Sequence, residues 1–229
     1  RFVYISTAYS TGRDFNSGVP EEIPRYVEDF RSIYEWSKHQ AEQLVASYWQ
    51  EHGLQVMIFR PSIIVGTPDS TVPCFSGYYQ VVTECQRLHR VLKSRLGKQF
   101  TGNVNTRLRG HVELPLNIVP IDFVVDSMVY LAENGKEPNG RLPLYNIVNE
   151  EPPTIAMVHE AVTRSLALEG LDIVPPTDFE ERPMSQFEKV INRRIAFQAP
   201  YMHEDIRFET AVFRQHLSKD MLPPPAINI

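Results

Sequence analysis

The stretch Ile33–His52 reads IYEWSKHQAEQLVASYWQEH and opens with the motif Tyr34-x-x-x-Lys38. Its apolar residues recur with the period of an α-helix rather than with the alternation of a strand. On such a helix Tyr34, Lys38, Ala41 and Val45 share one narrow strip. We therefore predict an amphipathic helix with the tyrosine and the lysine on or beside the face that packs inward.

The pairing of Tyr34 with Lys38 has two interpretations. An inward lysine is costly unless something uses it, and an ammonium one turn from a phenol favours the phenolate. This effect would lower the pKa of the tyrosine from its ordinary value near 10, so that it could exchange a proton nearer neutrality. In the other interpretation the lysine extends along the surface to water beside a partly exposed tyrosine, and neither residue has a catalytic role.

The segments on either side of the helix predict a parallel sheet. Arg1–Ser6 has the composition of a buried strand, and a polar loop from Gly12 to Pro24 follows it. Gly53 is placed to end the helix as a C-cap, and Gln55–Phe59 is a second β-rich run that continues through Ile63–Val65. A strand, a helix and a strand in this order form the unit of a parallel sheet with a crossover helix.

Polar groups converge where the predicted strands end. Ligands of open parallel sheets bind beyond the carboxyl ends of the strands, where Thr7, the Tyr34 and Lys38 pair and the turn Arg60–Gly66 should meet. A threonine hydroxyl beside a phenol offers two donors to one carbonyl oxygen, which suits carbonyl reduction. Thr7 could instead cap the turn that follows its strand.

Composition excludes several classes of protein. The chain has 229 residues, of which 42% are hydrophobic, enough for a core in one large domain or a domain with an appendage. No apolar run approaches the ~20 residues of a membrane span, and no signal peptide is evident, so we expect a soluble, cytoplasmic protein. With two cysteines a disulfide framework is not expected, and seven scattered histidines predict no metal site.

The net charge of −5 argues against a nucleic-acid partner, but the charge is unevenly distributed. The segment between Glu84 and Glu113 carries +7 without any acid, so the remainder carries −12. A solvated helix face followed by a loop is one interpretation. The other is a docking surface for a phosphate-bearing ligand or an acidic carrier. The seven cations are Arg87, Arg90, Lys93, Arg95, Lys98, Arg107 and Arg109.

Beyond Gly66 we predict alternating elements with weaker signals. Asp122 should cap a helix that follows a short strand. The acidic, proline-rich segment Asp172–Pro183 is predicted to be a linker or lid, and the end Pro223–Pro225 to be exposed. The predicted helices are Gly77–Leu96, Phe123–Asn134, Thr154–Leu168, Gln186–Arg194 and Asp205–Leu217, and the predicted strands are Asn117–Ile121 and Leu144–Val148.

Four motifs together resemble the extended short-chain dehydrogenase/reductase family, and within it the thioester reductase and fatty acyl-CoA reductase branch. They are the Ser6-Thr7-Ala8-Tyr9 segment after the first strand, Tyr34-x-x-x-Lys38, the run RPSIIVG of Arg60–Gly66 and the run VPIDFV of Val119–Val124. Their order and spacing make the resemblance far more specific than any one motif.

The resemblance implies roles for individual residues. Thr7 would orient the substrate carbonyl and Tyr34 would be the general acid, while Lys38 would hold the ribose hydroxyls of NADPH, or of NAD, and lower the pKa of Tyr34. The backbone of Pro61, Ser62 and Ile63 would line the nicotinamide pocket. On the substrate side it places Tyr9, Arg87, Arg90 and Lys93 beside an acyl thioester, bound to coenzyme A or a carrier, that is reduced to an aldehyde or an alcohol.

The resemblance also implies an architecture, with one departure. We expect an α/β fold, a partial Rossmann-like parallel sheet with a smaller, mostly helical substrate-binding part. Residues 1–66 and 118–150 would form the Rossmann-like core, 67–117 a substrate-side insertion and 151–229 a substrate-side helical region. No three of the eleven glycines have the spacing of the family's Gly-x-x-Gly-x-x-Gly loop, so we suspect the later part of a domain.

Two other functions remain open. A nucleotide-sugar epimerase or dehydratase would use the same Tyr34 and Lys38, with its diphosphate beside the basic segment. A non-enzymatic fragment that binds a substrate or a partner would explain the absent glycine loop. An exposed sheet edge would favour pairing of two copies, which suggests a homodimer.

Overall fold

The computed structural model describes residues 1–15, 17–66, 78–99, 101–135 and 140–221. They form two compact units, the first from residues 1–66, 117–152 and 205–221 and the second from residues 78–116 and 153–204. The predicted C-terminal region 151–229 is therefore divided, because residues 205–221 group with the first unit. Cys74, Gly77 and Pro223–Pro225 lie outside the described residues.

Seven strands and seven α-helices are present in the described residues. The strands are β1 (Phe2–Ile5), β2 (Val56–Pro61), β3 (Ile63–Val65), β4 (Asn103–Arg109), β5 (Ile118–Pro120), β6 (Leu144–Ile147) and β7 (Glu169–Val174). The helices are α1 (Ile33–His52), α2 (Tyr78–Leu96), α3 (Ile121–Asn134), α4 (Ile155–Ser165), α5 (Pro176–Phe179), α6 (Gln186–Arg194) and α7 (Ala211–His216).

The first unit is built on parallel strands. Its main sheet has the order β1-β2-β6, and β3 pairs with β5 in a second parallel pair. The predicted order of strand, helix and strand is therefore confirmed, with Ile5 opposite Phe59 in the register of β1 and β2. The prediction that the first strand is buried is wrong, because the side chains of β1 are largely exposed. Helix α1 begins at the Ser32 cap, whose side chain accepts from the Glu35 N–H. It ends, as predicted, at Gly53, whose φ of 64° suits glycine.

One face of the main sheet packs on an apolar core. Phe59, Tyr145 and Ile147 from β2 and β6 pack there with Phe123 of α3 and Phe213 of α7. On the other face the later part of α1 contributes apolar contacts, where Val45 and Trp49 pack against Val56, Ile58 and Leu144. These two layers fix the carboxyl ends of the strands, where the candidate site lies.

The predicted inward face of α1 is wrong for the first half of the helix. Its buried residues are Glu35, His39 and Glu42. Of the apolar residues with helical period, Ile33 is 83% exposed and Leu44 is 60% exposed, whereas Val45 packs against the sheet as predicted. The period was therefore correctly read as helical, but ion pairs of Glu35 and Glu42 rather than apolar contacts hold the first half of the helix.

The second unit contains two strands that the sequence did not predict. β4 and β7 pair in parallel, with a register shift between Asn103 and Thr106. They pack with Cys85, Leu88 and Leu92 of α2 and with Ile191 of α6. The predicted linker or lid, Asp172–Pro183, instead holds the end of β7 and all of α5. The irregular register and the polar residues of β4 concealed its alternation.

Three predicted helix boundaries also change. Asp122 does not cap α3; the cap is Pro120, which makes no side-chain capping bond, and Asp122 lies in the first turn. Thr154 does cap α4, as its side chain accepts from the Met157 N–H, but α4 ends at Ser165 rather than Leu168. The predicted helix Asp205–Leu217 is reduced to α7. Helix α6 has the predicted bounds.

Candidate active site

The catalytic candidates meet at the carboxyl end of the main sheet. Thr7 follows β1 and is buried, while Tyr34 and Lys38 lie in the first two turns of α1. A hydrogen bond joins the Thr7 hydroxyl and the Tyr34 phenol. The Tyr34 side chain still reaches solvent, with 44% of the residue exposed. The two hydroxyl groups therefore lie side by side, and both can donate to one carbonyl oxygen when that oxygen replaces the hydrogen bond between them.

The pKa of Tyr34 does not fall as the sequence suggested. Partial burial of the phenol raises its pKa above 10, and the neighbouring Glu35 carboxylate adds to the rise, while the hydrogen bond with Thr7 opposes it. The Lys38 ammonium stands 5.9 Å from the centre of the Tyr34 ring. Tyr34 is therefore a neutral phenol at physiological pH and is suited to donate a proton.

Lys38 is held at the end of β1. Its Nζ donates to the Ile5 carbonyl oxygen at 2.9 Å and stands 5.1 Å from the centre of the Tyr4 ring. An ammonium has three donors, and this bond uses one of them. The remaining donors suit the vicinal hydroxyls of a ribose, so the site fits the nicotinamide-ribose part of a dinucleotide.

The predicted nicotinamide-lining segment is fixed by the neighbouring strands. The Pro61 carbonyl accepts from the Ala8 N–H, and the Ser62 and Ile63 N–H groups donate to the Ile147 and Asn117 carbonyls. The Ser62 hydroxyl is buried and has no hydrogen-bond partner. A buried polar atom in this state matches a ligand that supplies the missing bond.

A buried ion pair behind the site was missed by the sequence analysis. The Arg60 guanidinium binds both carboxylate oxygens of Glu42, at 2.8 and 2.6 Å, and both side chains are fully buried. Ser10 donates to the same carboxylate at 2.9 Å. An arginine inside an otherwise apolar run was the one available signal, because a lone arginine in a strand needs a buried partner.

Tyr9 is placed inside the protein rather than on a substrate surface. It is 6% exposed, and its ring lies edge-on to Phe208 with the ring centres 5.4 Å apart. Burial also raises the pKa of its hydroxyl. Its assignment to the substrate side is therefore not supported by its position, and packing of the first unit explains it.

The other substrate-side candidates lie in the second unit on α2. Arg87, Arg90 and Lys93 are exposed. Arg87 and Arg90 line an open groove along the helix, together with Thr83, Glu84, Val91, Ser94 and Arg95. Within the part of the chain that the structure describes, no ion pair is formed by these three arginines, so their guanidinium groups face water. Lys93 does not line the groove.

Among the residues that the structure describes, no group of three or more His, Cys, Asp or Glu side chains is placed to hold a metal ion. Cys85 is a free, buried thiol, and burial raises its pKa to about 12. No described helix is long and apolar enough to cross a membrane.

Comparison with protein families decides the broad class. Residues 1–128 match the model of an NAD-binding family described as Male sterility protein. The chain belongs to this family. Membership confirms the predicted extended short-chain dehydrogenase/reductase type, and the nicotinamide cofactor class, NADP or NAD, with it. A search of curated proteins gave no significant match.

Solved structures show how the fold of this family member is shared. The terminal R domain of the myxalamid PKS-NRPS biosynthetic pathway matches 98% of the chain with a TM-score of 0.66 at 17% identity. The GDP-mannoheptose C4 reductase from Campylobacter jejuni, solved with NADP bound, matches 86% with a TM-score of 0.54 at 12% identity. An epimerase from Methanothermobacter thermautotrophicus matches 99% with a TM-score of 0.58 at 10% identity.

These likenesses confirm the predicted α/β fold class. The chain spans little more than half of the R domain and of the epimerase, 54% and 55% of their lengths, and 67% of the C4 reductase. A reductase and an epimerase share the fold, so the fold alone does not choose between the two activities.

Proposed function

We propose that the protein is an NAD(P)H-dependent reductase of an acyl thioester. The hydrogen bond between Tyr34 and the buried Thr7 hydroxyl, with Lys38 one turn further along α1, is the observation that carries the proposal. This arrangement presents a proton donor, a second hydrogen-bond donor and a cation at one carboxyl sheet edge. Membership in an NAD-binding family supports the cofactor, and the likeness to an R domain from a PKS-NRPS pathway suggests the carrier-linked substrate class.

Each residue would act on a stated atom. Thr7 and Tyr34 would hydrogen-bond to the carbonyl oxygen of the thioester, and Tyr34 would protonate that oxygen as charge develops there. Lys38 would hold the ribose hydroxyls, while Pro61, Ser62 and Ile63 would form the wall beside the nicotinamide. The bound cofactor supplies a hydride to the carbonyl carbon. Collapse of the adduct would release a thiol, which takes the proton, and an aldehyde; reduction to an alcohol would need a second NAD(P)H, with Tyr34 again the proton donor.

The cations of α2 would hold the substrate's phosphate group. Arg87, Arg90 and Lys93 would face the phosphate of a phosphopantetheine arm or of coenzyme A. Reversing all three to glutamate should raise KM for such thioesters by about tenfold or more. The matched control is the pair Lys189→Glu and Arg193→Glu on exposed positions of α6, which should leave KM unchanged. An unchanged KM in the triple variant would remove α2 from the substrate site.

Cofactor binding is the first test of the proposal. NADPH, and then NADH, should bind saturably in calorimetric titrations of the 229-residue chain. Lys38→Ala should weaken this binding about tenfold or more, because it removes the donors for the ribose. If the chain binds neither cofactor, the titrations are repeated with a version extended upstream. Absence of binding in both chains would contradict the proposal.

Turnover of a thioester is the second test. Tyr34→Phe should lower kcat by about 100-fold or more, with little change in cofactor affinity, because it removes the proton donor. Tyr48→Phe is the control, since Tyr48 is an exposed tyrosine on the same helix. Equal rates for Tyr34→Phe and the wild type would contradict the assigned acid.

Two alternatives have their own readouts. A nucleotide-sugar epimerase would be compatible with the fold, which a solved epimerase shares, and it would hold NAD tightly without consuming it. A non-enzymatic partner-binding fragment would bind a carrier protein equally well after Tyr34→Phe and show no turnover.

A homodimer also belongs to this proposal. β1 lies at one end of the described sheet order, and its residues Phe2, Val3 and Ile5 are 41–51% exposed. A free strand edge favours pairing with another chain. Light scattering coupled to size exclusion would measure the mass, and a monomer at micromolar concentration would contradict the dimer.

A further inference from the structure

The first half of α1 packs on the protein through polar and charged side chains. Glu35, His39 and Glu42 face inward, one or two turns apart on the same side of the helix. Tyr34 and Lys38 are their neighbours along the chain. Whatever sets the position of these inward groups therefore also sets the position of the phenol and the ammonium.

Arg60 is the partner that joins α1 to the sheet. Besides binding Glu42 with Nε and Nη2, it donates through Nη1 to the Pro20 and Glu22 carbonyls at 3.0 and 3.1 Å. It also pairs with Asn146 in the register of β2 and β6. One side chain thus connects the middle strand, α1 and the loop before α1.

A second bridge lies about two helical turns earlier, at Glu35. The Glu35 carboxylate accepts from the Arg31 backbone N–H at 3.0 Å, and the Arg31 guanidinium donates to the Gly12 carbonyl at 2.7 Å. Bidentate pairs have a fixed direction and distance, whereas apolar contacts tolerate sliding and rotation. A buried ion pair often adds no net stability over an apolar pair of the same size, so its effect here lies in geometry.

We propose that Glu42 and Arg60 are positioning residues that fix the rotation and axial register of α1, so that Tyr34 reaches Thr7 and Lys38 reaches the Ile5 carbonyl. The consequence for catalysis rests on the proposed function, while the geometric statement stands on the contacts alone. A small rotation of α1 would separate both pairs, because Tyr34 and Lys38 flank the anchored face rather than lie on it.

The test compares two matched arginines. Arg107 is the comparable buried arginine of the second unit: its Nε donates to one oxygen of the Glu188 carboxylate, and Nη1 and Nη2 donate to backbone carbonyls. Arg60→Met and Arg107→Met should each destabilise the chain. At temperatures where both variants are folded, only Arg60→Met should lower kcat, at least tenfold, and weaken NADPH binding. It alone should also shift the NMR signal of Tyr34 in a chain labelled with 13C at the tyrosine Cζ atoms. Arg107→Met should leave the Tyr34 signal at its wild-type position.

The double variant Arg60→Met/Glu42→Leu separates positioning from stability. It replaces the charge pair with an apolar contact, so it should be more stable than Arg60→Met. Its Tyr34 signal and its kcat should nevertheless differ from those of the wild type. Wild-type values for both in the double variant would overturn the proposal. If the Arg60 variants do not fold, Ser10→Ala weakens the same carboxylate anchor, and a Tyr34 signal unmoved by it would equally overturn the proposal.

The two proposals can fail separately. The Tyr34 signal reports the geometry without substrate or cofactor, and Tyr34→Phe assigns it among the ten tyrosines. If Arg60→Met moves this signal while Lys38→Ala leaves NADPH binding unchanged, the positioning role stands and the proposed function fails. If Lys38→Ala and Tyr34→Phe act as expected while the Arg60 variants keep the wild-type signal and kcat, the reverse holds.

Discussion

At the residue scale, Glu21 is the buried acid with the clearest consequence for pH. Its carboxylate accepts from the backbone N–H groups of Asn146, Val212 and Phe213, so it joins the loop before α1 to β6 and to the start of α7. Burial raises its pKa to about 7, although these three hydrogen bonds oppose the rise. The folded chain therefore holds the Glu21 proton more firmly than the unfolded chain does.

The sign of the pH effect follows from that difference. Between about pH 4.5 and pH 7 the folded state binds the extra proton, so the contribution of Glu21 is present at the acidic end and is lost as the pH rises to about 7. Glu21→Gln removes the titration. Across this window the unfolding free energy of the wild type should fall by on the order of 1–3 kcal/mol more than that of Glu21→Gln.

The measurement is urea unfolding at pH 5 and pH 7.5 for wild type, Glu21→Gln and the control Glu22→Gln. The comparison between variants isolates the contribution of Glu21 from that of every other group. Glu22 is exposed and serves as the neighbouring control. The same pH dependence in all three chains would contradict the expected effect.

At the scale of the element, the question is which side chains of α1 are exposed and which pack against the sheet. Leu44 is 60% exposed, whereas Val45 packs against the sheet. Leu44→Gln should therefore change the unfolding free energy by less than about 0.5 kcal/mol. Val45→Ala is the adjacent control and should cost about 1–2 kcal/mol, because it removes buried methyl groups. A loss above about 2 kcal/mol for Leu44→Gln would show that its side of α1 is covered.

The same helix shows what sequence could and could not predict. Its existence, its end at Gly53 and its place between parallel strands followed from periodicity and the C-cap residue, and the Tyr34, Lys38 and Thr7 cluster followed from where parallel strands end. The side of the helix that faces the protein could not be predicted in its first half. Periodicity identifies a stripe of apolar residues, but it does not show that Glu42 binds Arg60, which is distant in the sequence. Pairing partners far apart in sequence carry no local signal.

The second unit extends this lesson. β4 and β7 are stabilised by pairing with each other across about sixty residues, and Asn103, Asn105 and Arg107 give β4 a polar composition. The hydrogen-bond partners of the Arg107 guanidinium, Glu188 and the carbonyl oxygen of Phe179, are far from it in the sequence. Local propensity therefore could not identify the strand, and the acidic, proline-rich segment after it resembled a linker.

At the scale of the whole molecule, charge is segregated. The chain carries −5 overall, yet α2 and the turn after it expose Arg87, Arg90, Lys93, Arg95 and Lys98. We expect retention on a cation-exchange resin at pH 7.5 and low salt despite the acidic isoelectric point of about 5.8. The variant with Arg87, Arg90 and Lys93 reversed to glutamate should flow through, and a wild-type chain that flows through would contradict a concentrated basic surface.

The polar docking of α1 has a consequence for the order of folding. An apolar helix face can collapse early onto a loosely formed partner, but the bidentate contact of Glu42 with Arg60 forms only when β2 and the Ser10 loop are already in place. Ser10→Ala should therefore accelerate unfolding and leave the refolding rate nearly unchanged, with a φ-value below about 0.3 in stopped-flow experiments. Tyr34 and Lys38 would then be the last residues of the first unit to reach their folded positions.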